Sequence, residues 1–320
     1  MTGICIIGAG RIGSLHATNV AQNPRAKLVS IVDVNADAAT ALAAQHGARA
    51  ETSVDDAIAH PEVDAVIIGA PTTLHVDLIL AAARQGKAVL CEKPIDLDIA
   101  RVDACLAEVE TLGVPFLVGF NRRFDPTIAK LKAALDDGVI GSPEIVVITS
   151  RDPGPPPIEY VRTSGGYFRD STIHDLDLAR WILGEEVTEV SAFGSNLVDP
   201  AIAEAGDFDT AITMLKTASG RVCQINNSRR AVYGFDQRVE VFGSDGMLQT
   251  TNQRDSGLRV WTEGATAAQD RLKAFFLERY DESFKHELEE FLDAIAQDRQ
   301  PLVSGEDGRK ALLLADAALK

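Results

Sequence analysis

The chain opens with the stretch Gly3-Ile-Cys-Ile-Ile-Gly8-Ala-Gly10-Arg-Ile-Gly13, an apolar run that leads into a G-x-G-x-x-G turn. A second apolar run ends at Asp33, twenty residues after the last glycine. This order is the fingerprint of a dinucleotide-binding strand–turn–helix unit. Gly8 allows the tight turn, Gly10 lets the backbone approach a pyrophosphate, and Gly13 lets helix and strand pack closely. The stretch therefore predicts an α/β domain that binds a dinucleotide.

Asp33 bears on which dinucleotide is bound. A carboxylate at the end of the second strand accepts hydrogen bonds from the ribose hydroxyls of NAD. The same carboxylate repels the 2′-phosphate of NADP, and Val34-Asn35 beside it offer no compensating arginine. NAD is the predicted cofactor. The alternative interpretation is a solvated aspartate that happens to follow a strand.

Composition narrows the class of protein. The net charge of −16 argues against nucleic acid and anionic membranes, which bind basic surfaces. No apolar run approaches the length of a membrane-spanning helix, and an apolar strand begins too early to leave room for a signal peptide. The scattered cysteines predict neither a disulfide framework nor a metal site; they are Cys5, Cys91, Cys105 and Cys223. We expect a soluble, cytoplasmic protein.

The pattern of predicted strands and helices changes near Asn121. Before it, short apolar runs alternate with helical stretches, as in a parallel sheet wrapped by helices. After it, helices near 125–137 and 172–183 are followed by successive strands joined by short glycine-containing turns. We predict an α/β chain with an N-terminal Rossmann domain (1–121) and a C-terminal α+β domain (122–320) with a large open, mostly antiparallel sheet. A second subunit covering one face of that sheet would make the protein a homo-oligomer.

Two segments follow predicted strands of the first domain, where the carboxyl ends of parallel strands border the cofactor crevice. Glu92-Lys93-Pro94 ends the strand 87–91, and the proline keeps Lys93 extended. The alternative for Lys93 is a lysine in solvent. His75 follows Ala70-Pro-Thr-Thr-Leu and would line the crevice, although Thr72 or Thr73 acting only as a helix cap explains the segment equally.

A second constellation lies on one predicted helix. At 3.6 residues per turn, Asp170, His174, Asp177 and Trp181 share a face, with Leu176, Ala179 and Leu183 almost opposite as a core stripe. This face combines two acids, an imidazole and an indole. Such a combination indicates that the face borders a cleft and does not face open solvent. Asp170 as a plain helix cap is the alternative. His16, His46, His60 and His286 are interpreted as surface or helix-packing residues.

Taken in order, the motifs resemble those of the glucose–fructose oxidoreductase/inositol dehydrogenase (Gfo/Idh/MocA) family over essentially the whole chain. Among its members the chain most resembles the inositol 2-dehydrogenases, through Ser150-Arg-Asp-Pro153, Ile158-Glu-Tyr160 and Asp170-Ser-Thr-Ile-His-Asp175. The family motifs are the glycine turn Gly8–Gly13, Ala70-Pro-Thr-Thr-Leu-His75, Glu92-Lys93-Pro94, Gly119-Phe-Asn-Arg-Arg-Phe124 and Gly165-Gly166 with Asp170 and His174.

The resemblance implies a freely exchanging NAD(H) cofactor, a homotetramer and a catalytic set of Lys93, Asp170 and His174. In that set His174 takes the hydroxyl proton, Lys93 orients the oxygen, and Asp170 positions its partner. The implied cofactor residues are Gly8, Gly10, Arg11, Ile12, Gly13, Asp33, Ala70, Pro71, Thr72, His75, Glu92 and Lys93. The polar residues that match a polyol site are Asn121, Arg122, Asp152, Thr172, Asp177 and Tyr233.

The implied reaction is the NAD-dependent oxidation of a cyclic polyol, with myo-inositol oxidised to its 2-keto product as the leading substrate. Another inositol isomer or a pyranose sugar is the close alternative, and a non-catalytic nucleotide-binding sensor is the alternative of a different class. Two departures bear on this expectation. Asn121 stands where an apolar residue is expected in some inositol enzymes, and the chain ends at Lys320, earlier than expected.

Overall fold

The computed structural model describes residues 1–320, and packing divides the chain into two compact units. The first unit comprises residues 1–124 and 282–313, and the second comprises residues 125–281 and 314–320. The glycine turn and Lys93 lie in the first unit, whereas Asp170 and His174 lie in the second.

The first unit contains a six-stranded sheet whose pairings are all parallel. Its strands are β1 (Thr2–Ile7), β2 (Ala26–Val32), β3 (Arg49–Glu51), β4 (Ala65–Ile68), β5 (Ala88–Glu92) and β6 (Phe116–Gly119). The connecting helices are α1 (Arg11–Gln22), α2 (Ala36–His46), α3 (Val54–Ile58), α4 (His75–Ala83) and α5 (Ile99–Leu112). The strand order β3-β2-β1-β4-β5-β6 is that of a doubly wound dinucleotide-binding sheet, which confirms the predicted Rossmann fold.

The second unit contains a six-stranded mixed sheet in the order β12-β11-β7-β10-β9-β8. Its strands are β7 (Pro143–Arg151), β8 (Val187–Ser195), β9 (Thr210–Thr217), β10 (Val222–Ser228), β11 (Asp236–Gly243) and β12 (Gly246–Gln249). A separate hairpin pairs β13 (Arg259–Thr262) with β14 (Ala265–Gln269), and the helices are α6 (Pro126–Asp136), α7 (Ile158–Val161), α8 (Ile173–Leu183), α9 (Pro200–Glu204) and α10 (Phe276–Arg279). Only β7 and β10 pair in parallel in the six-stranded sheet, so the prediction of an open, mostly antiparallel sheet is confirmed.

Two long helices close the chain, α11 (Asp281–Ala296) and α12 (Gly305–Ala318). Leu288, Phe291 and Leu292 of α11 join the core of the first unit, where they pack with strand residues such as Ile4 and Ile6. All five side chains are buried, so α11 covers apolar surface of the Rossmann sheet that would otherwise face water.

The two faces of the second sheet differ in what covers them. Leu176, Ala179 and Leu183 are fully buried in the core that α8 shares with the sheet, which confirms the predicted core stripe. On the opposite face large apolar side chains remain exposed; they include Phe193 (75 %), Ile212 (44 %), Met214 (43 %) and Phe242 (47 %). Exposed apolar patches of this kind are typical of protein interaction surfaces.

Two findings concern the class of protein. None of the helices combines the length and the apolar character that crossing a membrane requires. All four cysteines are buried free thiols, and burial raises the pKa of Cys5 to about 11, so this thiol is held in its un-ionised form.

Candidate active site

The glycine turn after β1 requires glycine at two positions. Gly8 has φ of +109°, and a Cβ there would lie 2.7 Å from the carbonyl oxygen of Gly69. A Cβ on Gly13 would lie only 1.8 Å from the carbonyl oxygen of Gly8. Because both obstacles are backbone atoms, no side-chain rotation relieves them. The turn therefore packs α1 directly against the end of β1.

Gly10 differs from its neighbours because space is open around it. No atom lies within 4 Å of the position that a Cβ would take. The helix α1 that follows has no acidic residue in its first turn and no side chain that caps its N-terminal N–H groups. Unsatisfied N–H groups at a helix start beside an open backbone fit the pyrophosphate of NAD.

The contrast between Gly13 and Gly10 gives a matched pair of variants. Gly13→Ala should destabilise the protein by about 1–3 kcal/mol, because its methyl group overpacks the turn. Gly10→Ala should melt like the wild type yet bind NAD more weakly, because its methyl group enters the pyrophosphate space. Thermal melting and NAD titration measure the two effects. A Gly13→Ala protein as stable as the wild type would contradict the close packing.

Asp33 lies immediately beyond β2 and beside the glycine turn. Its Oδ2 accepts a hydrogen bond from the backbone N–H of Ala9 at 2.7 Å, and its Oδ1 accepts one from Asn35 at 2.8 Å. The half-buried carboxylate is thus held at the place where the fingerprint requires a ribose ligand. This placement favours the functional interpretation over a freely solvated aspartate.

The loops after β4 and β5 are joined by a buried histidine. His75 is 1 % exposed, its Nδ1 lies 2.8 Å from the carbonyl oxygen of Pro94, and its Nε2 lies 2.8 Å from that of Ala70. The segment also contains the 3₁₀ turn Thr72–Leu74, and no threonine side chain caps α4. His75 therefore fixes two backbone segments that border the predicted cofactor crevice.

Lys93 follows the last residue of β5 and is half-buried, in a cis peptide bond with Pro94. Glu92 before it bonds the buried His16, with 2.8 Å between Oε1 and Nε2. The sequence interpretation gave His16 no specific partner. Its position one turn after Gly13 on α1 was the available signal, because that face of the helix turns toward the sheet.

The end of β6 carries the next predicted site residues. Asn121 and Arg122 lie in the 3₁₀ turn Asn121–Phe124 and are 4 % and 7 % exposed. The backbone carbonyl of Asn121 accepts a hydrogen bond from the Ser283 hydroxyl of α11. In the first unit, therefore, the glycine turn, Lys93 and these two polar residues all follow strand carboxyl ends, as in other doubly wound sheets.

In the second unit, Asp170 lies in a π-helical turn, Phe168–Thr172, just before α8. The residue before α8 is Thr172 and no side chain caps the helix, so the capping alternative for Asp170 is wrong. Its Oδ1 accepts a hydrogen bond from the Tyr160 hydroxyl at 2.7 Å, and its Oδ2 lies 3.8 Å from an Arg229 nitrogen. The wide π turn also means that the regular spacing used to place Asp170 on one face with His174 does not apply before Ile173.

Arg229 is a charged residue that the sequence interpretation missed. Its side chain is 2 % exposed, stacks 4.6 Å over the Tyr167 ring, and lies 3.7 Å from Asp207 as well as near Asp170. The Arg229 guanidinium therefore lies between the carboxylates of Asp170 and Asp207. Tyr160 was named only as part of the family motif Ile158-Glu-Tyr160. No regular spacing in the sequence links Tyr160 or Arg229 to Asp170.

α8 carries the remaining polar residues. His174 is half-buried, and Asp177 is 1 % exposed. Thr172 donates to Asn227 Oδ1 at 3.2 Å, and Asn227 donates to Asp175 Oδ2 at 2.8 Å, which ties the start of α8 to β10. Asp175 and Asn227 were not predicted as site residues.

Trp181 stands four residues after Asp177 on the regular helix α8, the spacing from which a shared face was predicted. Its indole packs against the apolar core of the second unit, and the Lys132 ammonium lies 5.7 Å from the ring centroid.

Asp152 and Tyr233 follow strands of the second sheet. Asp152 is half-buried after β7, and its backbone bonds those of Ser228 and Ala231. The Tyr233 hydroxyl donates to Asp236 at 2.7 Å and accepts from Arg151 at 3.1 Å. Arg151 also bonds Asn226, which faces the side of the sheet opposite to Asn227. Thr172 bonds Asn227, whereas Tyr233 bonds Arg151, the partner of Asn226. Tyr233 and Thr172 are therefore linked to opposite faces of the second sheet.

Comparison with known proteins places these features in a family. Residues 2–120 match the model of an oxidoreductase family with an NAD-binding Rossmann fold, and residues 128–249 match the GFO/IDH/MocA C-terminal domain. An inositol 2-dehydrogenase of Rhizobium meliloti is 48 % identical over 98 % of this chain and 95 % of its own. The chain belongs to the Gfo/Idh/MocA oxidoreductase family.

Other relatives agree with this membership. A myo-inositol 2-dehydrogenase of Thermotoga maritima is 47 % identical over 99 % of this chain and 95 % of its own. The crystal structure of a scyllo-inositol dehydrogenase from Lactobacillus casei with bound NAD(H) and scyllo-inositol is 29 % identical, covers 99 % of this chain and 96 % of its own, and superposes with a TM-score of 0.92. The family, the oxidoreductase class and the NAD-binding Rossmann fold predicted from the sequence are thereby confirmed.

Proposed function

We propose that this protein is an NAD-dependent dehydrogenase that oxidises myo-inositol at its axial hydroxyl to the 2-keto product. The observation that carries the proposal is the near full-length similarity, at 47–48 % identity, to proteins named inositol 2-dehydrogenases. A glycine turn that fits a pyrophosphate and an aspartate held at the ribose position support the cofactor. Residues 1–121 would bind NAD, and residues 122–320 would bind the substrate and a second subunit.

In this proposal the side chains move one proton while NAD, when bound, supplies the hydride acceptor. His174 takes the proton from the reacting hydroxyl, as a general base must to let hydride leave the same carbon. Lys93 orients that oxygen and stabilises the negative charge that develops on it. Asp170, itself held by Tyr160 and Arg229, positions its catalytic partner electrostatically.

The polar residues proposed for the substrate suit a polyol. Asn121, Arg122, Thr172 and Asp177 are all at most 7 % exposed. Buried donors and acceptors discriminate strongly against ligands that leave them unpaired, so a ring with a hydroxyl on every carbon is a fitting partner. Asp152 and Tyr233 are proposed as further substrate contacts from the resemblance.

The test is the initial rate of NADH formation with NAD and a panel of myo-inositol, scyllo-inositol, D-chiro-inositol, glucose and a blank. Preference for myo-inositol supports the proposal. Preference for another polyol of the panel would support the same reaction with a different substrate. Asn121 would then be the first residue to substitute. No turnover of any polyol, with NAD still bound, supports the sensor alternative.

The cofactor preference has its own test at Asp33. Asp33→Ser should weaken NAD binding by about 10-fold or more and narrow the discrimination against NADP, because a charged hydrogen-bond acceptor for the ribose is lost. Fluorescence titration with both reduced cofactors measures the two affinities. A wild-type protein that already prefers NADP would refute the ribose argument.

We also propose that the protein is a cytoplasmic homotetramer. Four buried free thiols suit a reducing compartment, and the exposed apolar face of the second sheet suits a subunit contact. Light scattering at micromolar concentration tests the assembly. Phe193→Asp on that face should shift the protein towards smaller species, whereas a monomeric wild type would oppose the proposal.

A further inference from the structure

Three titratable side chains meet inside the first unit. His16 of α1, Glu92 at the end of β5 and Glu287 of α11 each bring one nitrogen or carboxyl oxygen to within 4.8 Å of the others. His16 is 1 % exposed and Glu287 is fully buried. Phe284, one turn before Glu287, packs edge-to-face on the His16 ring with 5.8 Å between centroids. The buried triad, as we call these three titratable residues, thus connects α1, β5 and α11.

Glu287 is the unusual member of the buried triad. Both of its carboxyl oxygens are buried without a hydrogen-bond partner, whereas Glu92 Oε1 bonds His16 at 2.8 Å. An ionised carboxylate without any donor is costly in a protein interior. Burial first, and the charge of Glu92 second, raise the pKa of Glu287 well above its ordinary value. An un-ionised carboxyl group has one O–H to donate, and the carboxyl oxygens of Glu92 are the acceptors beside it.

We propose that Glu287 is a positioning residue: its carboxyl O–H donates a hydrogen bond to a Glu92 carboxyl oxygen, keeps its proton, and so holds the Glu92–Lys93 end of β5 against α1. One oxygen of each carboxyl group lies within 4.8 Å of the other, and the hydrogen bond requires a rotation about the outer torsion of Glu287, which is broad for glutamate side chains. Glu92 then receives one hydrogen bond from α1 and one from α11. The expected effect on turnover depends on the catalytic role of Lys93 and therefore rests on the proposed function. The expected effects on folding and on hydrogen exchange do not.

A divalent cation is the competing occupant of the buried triad, since one histidine and two glutamates are zinc ligands. The distance between His16 Nε2 and Glu92 Oε1 is 2.8 Å, that of a direct hydrogen bond. Two ligands about 2.0–2.1 Å from a tetrahedral zinc ion lie about 3.3 Å apart. The geometry therefore favours a shared proton over a shared metal ion.

The proton has a measurable consequence for folding. Glu287 ionises at about pH 4.3 in an unfolded chain, and well above that value in the folded protein, so the folded state holds one extra proton between the two values. Stability from this group is complete below the unfolded value and falls as the pH rises towards the folded one. Glu287→Gln cannot ionise, while His16 and Glu92 remain in both proteins. From the unfolded value up to the raised folded one, the folding constant of the wild type should fall by up to about tenfold per pH unit relative to Glu287→Gln.

Two variants separate the hydrogen bond from packing. Glu287→Gln keeps the size and a donor towards Glu92, and should keep kcat/KM within about threefold of the wild type. Glu287→Met keeps the size without the donor, and should lower kcat/KM by about 10- to 100-fold. Amide hydrogen exchange of residues 92–97 should quicken in Glu287→Met and not in Glu287→Gln. The exposed Glu282→Gln on the same helix is the control.

Three results would overturn the inference. The first is an equal pH dependence of folding in the wild type and Glu287→Gln, because Glu287 would then be ionised. The second is equal activity and exchange in the glutamine and methionine variants, which would leave only packing. The third is one equivalent of zinc in the purified wild type that Glu287→Gln lacks. If folding and exchange behave as stated while no polyol is turned over, the inference stands and the proposed function fails.

Discussion

Replacing His174 with alanine is expected to lower turnover of the polyol by about 10²–10⁴-fold, the usual contribution of a positioned general base. NAD affinity should stay nearly unchanged, because His174 lies in the second unit and the dinucleotide-binding turn lies in the first. Steady-state kinetics and NAD titration on the same preparation measure both quantities.

His60→Ala is a suitable control, because His60 lies in a turn before β4 and its ring Nδ1 accepts a hydrogen bond from the backbone N–H of Glu62. Its kinetics should match those of the wild type. A His174→Ala protein that loses NAD binding or its cooperative melt would show that His174 is structural, and the assignment of the base would fail.

Lys93→Met should reduce kcat by about 10²–10³-fold, the effect of removing one group that stabilises a developing oxyanion. Methionine keeps the length of the side chain and the packing of a half-buried position while it removes the ammonium. The loss should appear mainly in kcat, because the charge that Lys93 stabilises develops only in the transition state.

Lys130→Met is the control for Lys93, since Lys130 is exposed on α6. The variants should differ in kcat and agree in melting temperature. A rise in KM with kcat intact would mean that Lys93 only binds substrate, and a normal kcat would remove it from the catalytic set.

Much of the first unit follows from local sequence. The G-x-G-x-x-G turn admits no other residue at Gly8 or Gly13, and alternating apolar and helical segments predict the parallel sheet. The strand β3 is three residues long with two of them exposed, so it has no apolar pattern and escaped prediction. Short helices such as α7 and α9 escaped for the same reason: four or five residues carry too little periodicity.

The site was predictable where a strand end or a motif marks it. Asp33, Lys93 and His174 each stand at a position that spacing or resemblance singles out. Arg229 and Glu287 carry no such mark, because their importance arises from what lies beside them in space. For Trp181 the spacing predicts the side of the helix, and only the tertiary structure shows that the indole packs against the apolar core of the second unit.

The sequence by itself determined the longer strands and helices, the dinucleotide-binding turn and the family, because turn geometry and hydrophobic periodicity are local properties. The tertiary structure alone decided that α11 packs on the Rossmann core, that Arg229 lies between Asp170 and Asp207, and that His16, Glu92 and Glu287 share a buried volume. These contacts join residues up to 271 positions apart (287 − 16). Burial then raises the pKa of the Glu287 carboxyl group, an effect that no local pattern encodes.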